Sequence, residues 1–202
     1  MEPELIALLT VISSVIVAIV GIVSILFTFF SIRQQQEHNR KSVQPLCNVG
    51  SSMIKSKVSL TLKNVGNGPM IIKGFKYLDE SEKSSNNIRD FMPEGKLPSG
   101  TIWVAPADDR VLELNGTINL LLFQKKESMD EEQYKNDRKW LLKAIAGLKI
   151  FVEYESLYGE KFSYVKDLSF IYSILERESE GELVGDEDAG FEESETNDIL
   201  HE

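Results

Sequence analysis

Three patterns of hydrophobic and polar positions follow one another along the chain. Leu5 to Phe30 (LIALLTVISSVIVAIVGIVSILFTFF) is apolar, interrupted only by Ser, Thr and Gly, and carries no charge. As a helix rising about 1.5 Å per residue it is roughly 39 Å long, enough to cross a hydrocarbon core of about 30 Å with some tilt. A cleaved signal sequence wants a basic start and a shorter apolar stretch. Here the start is MEPE and the stretch runs into SIRQQQEHNRKS. A transmembrane helix over 1–30 is therefore expected, with a polar helical extension over 31–44. Glu37 and Lys41 support that extension as an i, i+4 pair, and Pro45 ends it because the residue before a proline avoids helical backbone.

Beyond Pro45 the period falls to two. Lys57 to Lys63 (KVSLTLK) sets Val58, Leu60 and Leu62 on one face and Ser59 and Thr61 on the other, the signature of a half-buried strand. The same alternation predicts buried positions at Ile102 and Val104, at Leu112 and Leu114, at Ile118, Leu120 and Leu122, and at Ile150, Val152 and Tyr154. Tyr158-Gly159-Glu160 reads as a turn, and Phe162 and Tyr164 begin the return strand. Roughly eight short strands separated by turn signals predict a mainly β fold, an antiparallel sandwich over 45–175. One amphipathic helix is inserted. Ser128 and Glu131 have capping-box spacing, Gly147 sits where a C-terminal cap is wanted, and Tyr134, Leu141 and Ile145, with Trp140 and Ala144, form its apolar stripe.

The third pattern is charge. Of the 202 residues 32 are acidic and 22 basic, but Glu176 to Glu202 alone holds 12 acids against Arg177, leaving 21 basic against 20 acidic residues elsewhere. Residues 176–202 are expected to be an acidic disordered tail, with Ile199-Leu200 as a short apolar tip. A balanced body offers no basic footprint, so nucleic acid is not an expected partner.

Charge also orients the helix. No Lys or Arg precedes it, whereas Arg33, Arg40 and Lys41 follow, which predicts an outer amino terminus, a cytoplasmic body at the inner membrane face, and headgroup contacts by those three residues. Within the span Ala7, Ser14, Gly21 and Thr28 fall seven apart with Ala18 between them. Small side chains on one stripe let membrane helices approach closely, so self-association through this face is a candidate and a homo-oligomer a candidate assembly.

Candidate chemistry is sparse. Cys47 is the lone cysteine, and His38 and His201 are the only histidines, so neither an intrachain disulfide nor a His-rich metal centre is expected. Asp108-Asp109 and Asp130-Glu131-Glu132 are the densest carboxylates of the body, and no nucleophile with its base accompanies them. No catalytic residue and no cofactor is expected. In the polar stretch Asp79 to Pro98, Phe91 and Met92 are a candidate partner loop, although pinning of the loop to the body is the favoured reading of the pair. The segment NVGNGPMIIKGF (Asn64 to Phe75) lacks the Lys and the following helix of a phosphate-binding loop. Asn64, Gly66, Asn67 and Gly68 instead suit a left-handed corner between two strands.

A single amino-terminal span, then EHNRKSVQP (Glu37 to Pro45), a strand ending in NVGNGP (Asn64 to Pro69), and VEYESLYGEKFSY (Val152 to Tyr164) resemble a group of uncharacterised bacterial single-pass membrane-anchored proteins. That group carries an N-x-G-x-G-P loop in an immunoglobulin-like β-sandwich. The resemblance implies a fold and a topology and brings no activity with it. The function expected is a non-enzymatic tether whose partners are the lipid bilayer and another protein, held at loops or sheet edges. The alternative is a homo-oligomeric membrane effector or channel-like sensor, as in bacterial stress or phage defence.

Overall fold

The structure, a computed structural model, describes residues 3–106 and 109–179, with side chains described from residue 12 onward. The chain divides into two units, one ending at Ser42 and the next beginning at Val43. The first is a single continuous helix, α1 (Pro3–Ser42), and it is the one helix among the described residues long and apolar enough to cross a membrane. Its apolar side chains lie open: Ile25 is 71% and Phe27 74% exposed. Lys41 donates to Glu37 at 2.9 Å, and the helix stops just ahead of Pro45, as its backbone restriction requires.

The second unit is built from two antiparallel sheets. Sheet A takes β1 (Cys47–Ile54), β2 (Lys57–Asn64), β5 (Ile102–Trp103) and β7 (Thr117–Gln124) in the order β1-β2-β7-β5. Sheet B takes β3 (Met70–Leu78), β4 (Ser84–Ser85), β8 (Lys149–Glu155) and β9 (Lys161–Asp167) in the order β4-β3-β8-β9, with β6 (Val111–Leu112) also pairing β3. Their inner faces meet in a sandwich-like core. Val49, Val58, Leu60, Leu62, Leu121 and Phe123 come from sheet A; Met70, Ile72, Tyr77, Ile150, Val152 and Tyr154 come from sheet B. All are removed from water, each aliphatic one contributing on the order of 1.5–3 kcal/mol by burial.

Two bulges explain where simple alternation misleads. In β7, Leu60 pairs Leu121 and Thr61 pairs Asn119, so Leu120 is the extra residue. Ile118 is buried before it, Leu120 itself is buried, Leu121 and Phe123 are buried after it, and Leu122 is left half-buried rather than buried. In β3, Ile72 pairs Tyr154 and Gly74 pairs Glu153, and the extra Lys73 lets Ile72 and Phe75 share the core face. One added residue inverts a period-two pattern. Ile102, Val104 and Leu114, expected inside, are exposed. They lie on or beside two-residue ladders and on a loop, too short for a face to be enforced.

The predicted helix is α2 (Glu131–Ile145), but its cap differs from the expectation: the Asp130 carboxylate, not Ser128, accepts from the backbone N–H groups of Glu132 and Gln133. Ala146 is the C-cap in right-handed backbone, and Gly147 has no left-handed φ. A Cβ at Gly147 would instead lie 3.0 Å from the Tyr172 hydroxyl. Tyr134 stacks on Phe123 at 5.2 Å, so α2 packs by the β1–β2 turn. A further helix, α3 (Phe170–Ser179), was not expected; it buries Ile171 and includes residues 176–179 of the expected tail. The remainder of that tail, with Ile199-Leu200, lies outside the described residues.

Candidate functional site

Among the described residues of the body the most densely bonded polar side chain is Asn64, at the end of β2 and 0% exposed. Its amide nitrogen donates toward the carbonyls of Gly68 (2.7 Å), Leu112 (3.1 Å) and Glu113 (3.2 Å). Its Oδ1 accepts from the backbone N–H of Gly66 (3.1 Å) and of Leu46 (3.3 Å). One side chain therefore ties together the corner after β2, the loop after β6, and the segment that leads in from α1. Backbone bonds complete the junction: Val65 donates to Leu46 O at 2.8 Å and Asn67 to Gln44 O at 3.1 Å. Buried amides so placed fix a unique arrangement, because any unpaired member carries the full desolvation penalty.

The glycines of this N-x-G-x-G-P corner serve close approach. Neither has a positive φ, contrary to the left-handed corner expected from residue type. A Cβ at Gly66 would lie 2.3 Å from Leu46 N, and one at Gly68 would lie 1.7 Å from Val43 O. Main chain occupies the space a side chain would need. The corner is thus a seat for residues 43–46, the first four of the body.

A second junction sits at the other end of the sandwich. Arg138 falls on the apolar stripe of α2, between Tyr134 and Leu141, and its side chain is 8% exposed. Its Nη2 donates to Met53 O (3.0 Å) and its Nε to Ile54 O (3.3 Å), while Nη1 pairs with the Glu178 carboxylate of α3 at 2.5 Å. The guanidinium fork binds the end of β1, α2 and α3 at once. Sequence reasoning missed both partners. The signal for Arg138 was a lone cation inside an apolar helical stripe; Glu178 was hidden in an acidic run.

Predicted site residues are placed as follows. Ser14, Ala18, Gly21 and Thr28 lie exposed along α1, and the Thr28 hydroxyl donates to Ser24 O of the preceding turn at 2.8 Å. The side chain of Ala7 lies outside the described residues. Arg33 covers the Phe29 ring at 4.8 Å, and Arg40 and Lys41 occupy the last helical turn. Phe91 and Met92 pack against the body. Met92 is buried, and Phe91, half-buried, meets Tyr77 edge-on at 6.4 Å. Around them the stretch 79–98 is ordered by β4 and two short 3-10 turns, Ile88–Phe91 and Pro93–Gly95, and Arg89 lies over the Trp103 ring at 4.6 Å.

Three of the carboxylates noted in the sequence have structural partners, and Asp108 lies outside the described residues. Asp109 pairs with Lys73 at 2.7 Å, Asp130 caps α2, and Glu131 pairs with Lys125 and Lys135. Cys47 is buried, and burial pushes its thiol well above the usual range. Its backbone N–H donates to the Tyr154 hydroxyl at 3.4 Å; burial pushes that phenol up to about 12 against the opposing effect of this bond. Among the described residues no group of three or more His, Cys, Asp or Glu is arranged to hold a metal ion. The chain matches no protein-family model and no curated protein.

Proposed function

We propose that the protein is a non-enzymatic membrane tether. In this reading α1 is embedded as a single-pass anchor with its amino terminus outside, and it holds the β-sandwich at the cytoplasmic face, where the body's loops bind a protein partner. The observation that carries the reading is the unbroken exposure of apolar side chains along α1 from Ile12 to Phe30. So large an apolar surface demands a cover, and its length matches a bilayer. Arg33, Arg40 and Lys41 support the orientation. The seating of residues 43–46 supports a load-transmitting link, because the chain is gripped by backbone bonds as soon as the helix ends. The immunoglobulin-like character belongs to the same reading, supported by the two antiparallel sheets and the β2–β7 pairing between strands distant in sequence.

Native membranes washed with alkaline carbonate, followed by protease added to intact cells, test the proposal. The full chain is expected to stay with the membrane, and the body to resist external protease. Release by carbonate, digestion of the body from outside, or ion conductance by the purified protein in planar bilayers would overturn it.

A further inference from the structure

Neither sheet closes on itself, so β1 and β5 edge sheet A while β4 and β9 edge sheet B. An edge strand can template pairing with another chain unless it is short, covered or charged. β4 and β5 are two-residue ladders. β1 is long, but its ends are taken: the Cys47 N–H donates to the Tyr154 hydroxyl, and Arg138 donates to the carbonyls of Met53 and Ile54. β9 (Lys161–Asp167) is neither short nor tied. Among the described residues it pairs with β8 alone, and β1 approaches it from the other sheet without pairing.

The backbone bonds flanking β9 fix which of its groups face outward. Leu168 donates to Leu148 O at 3.0 Å, and Ser156 donates to Glu160 O at 2.9 Å. Bonded and non-bonded pairs alternate along an antiparallel ladder. Ile150–Lys166, Val152–Tyr164 and Tyr154–Phe162 are therefore the bonded pairs with β8, and Lys161, Ser163, Val165 and Asp167 turn their own N–H and C=O groups to the open edge. The side chains of these four share the outer face of sheet B, where Lys161, Val165 and Asp167 are exposed.

We propose that β9 pairs antiparallel with β9 of a second copy of this chain, about a two-fold axis at Tyr164, joining the two B sheets into one. This register sets Lys161 opposite the partner's Asp167 and Ser163 opposite the partner's Val165. With the reciprocal pairs it forms about eight backbone hydrogen bonds. Every outward-facing residue meets another outward-facing residue, as a ladder requires.

Charge selects both the occupant and the register. Among the described residues Lys161 is in no ion pair, and Asp167 meets Lys149 only at 3.7 Å. Lysine on an edge deters strand addition, and here it deters any strand that lacks an acid opposite it. A cation and an acid equally spaced about Tyr164 are complementary to their own reversed copy. Sliding the register by about two residues either way leaves Lys161 against the partner's Val165 or Ser169, and both ion pairs are lost. Val165, 42% exposed, lies diagonal to its own counterpart, so the seam also removes apolar surface from water. The seam belongs to the body and holds whatever the role of α1.

The test treats full-length protein carrying Val165→Cys with a short bis-maleimide, in native membranes and after extraction in mild detergent. Buried Cys47 makes the wild type the background, and Lys76→Cys, on β3 beyond β8, is the control for crowding. A crosslinked dimer is expected at Val165→Cys and not at Lys76→Cys. Adding Lys161→Asp or Asp167→Lys sets like charges opposite each other at both ends and should weaken dimerisation about tenfold. The two reversals together exchange the charges and should restore it. Ser163→Pro removes one outward N–H, keeps the bonds to β8, and should abolish the crosslink without any change of charge. Circular dichroism and urea midpoints identify which variants are folded. Equal crosslinking at Lys76→Cys, a crosslink unmoved by Ser163→Pro or by the single reversals, or a loss that the double reversal does not repair would overturn the pairing. A link only to a different polypeptide assigns the edge to another protein and overturns the second copy. A dimer by size that Val165→Cys does not capture places self-association elsewhere and overturns it equally.

Discussion

Asn64→Asp changes one atom type and no shape, so it isolates the donor role of the buried amide. In the wild type, two amide protons are shared among three carbonyls at 2.7, 3.1 and 3.2 Å. An ionised oxygen in that place would face three acceptors in a site closed to water. Two hydrogen bonds are lost at about 1 kcal/mol each, and at least two carbonyls left unpaired cost about 1–3 kcal/mol each, so the deficit at neutral pH is expected at about 4–8 kcal/mol. Protonating the introduced carboxyl restores one donor and recovers about 2 kcal/mol. The fold therefore raises the pKa of this carboxyl above its unfolded value of about 3.9. Its sign follows: the variant is least impaired below that unfolded value and loses stability as pH rises through the folded one. Urea denaturation followed by tryptophan fluorescence, with wild type and Asn64→Ala measured in parallel at each pH, checks this. The Ala variant has nothing to titrate, so its deficit stays level. An Asp deficit that is independent of pH, or below about 1 kcal/mol, would refute the donor role.

Three further outcomes are expected. Arg138→Ala removes two bonds to backbone carbonyls and strands Glu178, and should cost about 3–5 kcal/mol. Glu178→Gln keeps the carbonyl bonds and leaves its own side chain, 26% exposed in the wild type, in reach of water, so it should cost about 1 kcal/mol; equal losses in urea would contradict the clamp. Gly68→Ala should expel residues 43–46 from their seat, read as faster hydrogen exchange at Val65 N–H with the β8 amides still protected; unchanged exchange there would refute the seat. Cys47 should resist thiol reagents at about pH 9 until urea unfolds the body. Burial raises Cys47, Tyr77 and Tyr154, so stability should be full below about pH 8.5 and fall at higher pH as the unfolded chain ionises first; a stability profile flat to pH 11, about a unit above the ordinary tyrosine value, would refute their burial.

The elements read best from sequence were those whose period is enforced over their whole length. α1, β2 and β8 keep one pattern end to end, and their apolar residues fall where alternation or hydropathy puts them, although β2 buries Ser59 of its polar face as well. The pattern failed at single-residue insertions. Leu120 and Lys73 shift the phase within β7 and β3, and nothing local distinguishes a bulged residue from its neighbours, because pairing with the next strand decides it. α3 was masked by composition: its charged face merges with the acidic run, and only Ile171 and its neighbours mark an apolar side. Asn64, Gly66 and Gly68 were visible as turn residues, yet turn chemistry was the wrong reason for them. Their requirement is tertiary, set by main chain arriving from residues 43–46.

That distinction bears on what the corner does. A glycine chosen for a left-handed φ shapes only its own turn, and another turn of equal span could replace it. A glycine chosen because Val43 O lies where its Cβ would be is specified by the partner segment, and loses its purpose if that segment leaves. The same holds for Asn64, three of whose contacts reach outside its own corner, to Leu46, Leu112 and Glu113. Sequence signal has thus accumulated where the chain crosses from helix to sandwich, although a flexible linker would have joined the two units with no such demand on Asn, Gly or Pro. A body that only needed to be kept near a membrane could hang from such a linker. Gripping residues 43–46 instead makes them part of the folded body, so that losing their seat costs the body its own backbone bonds and not only a link.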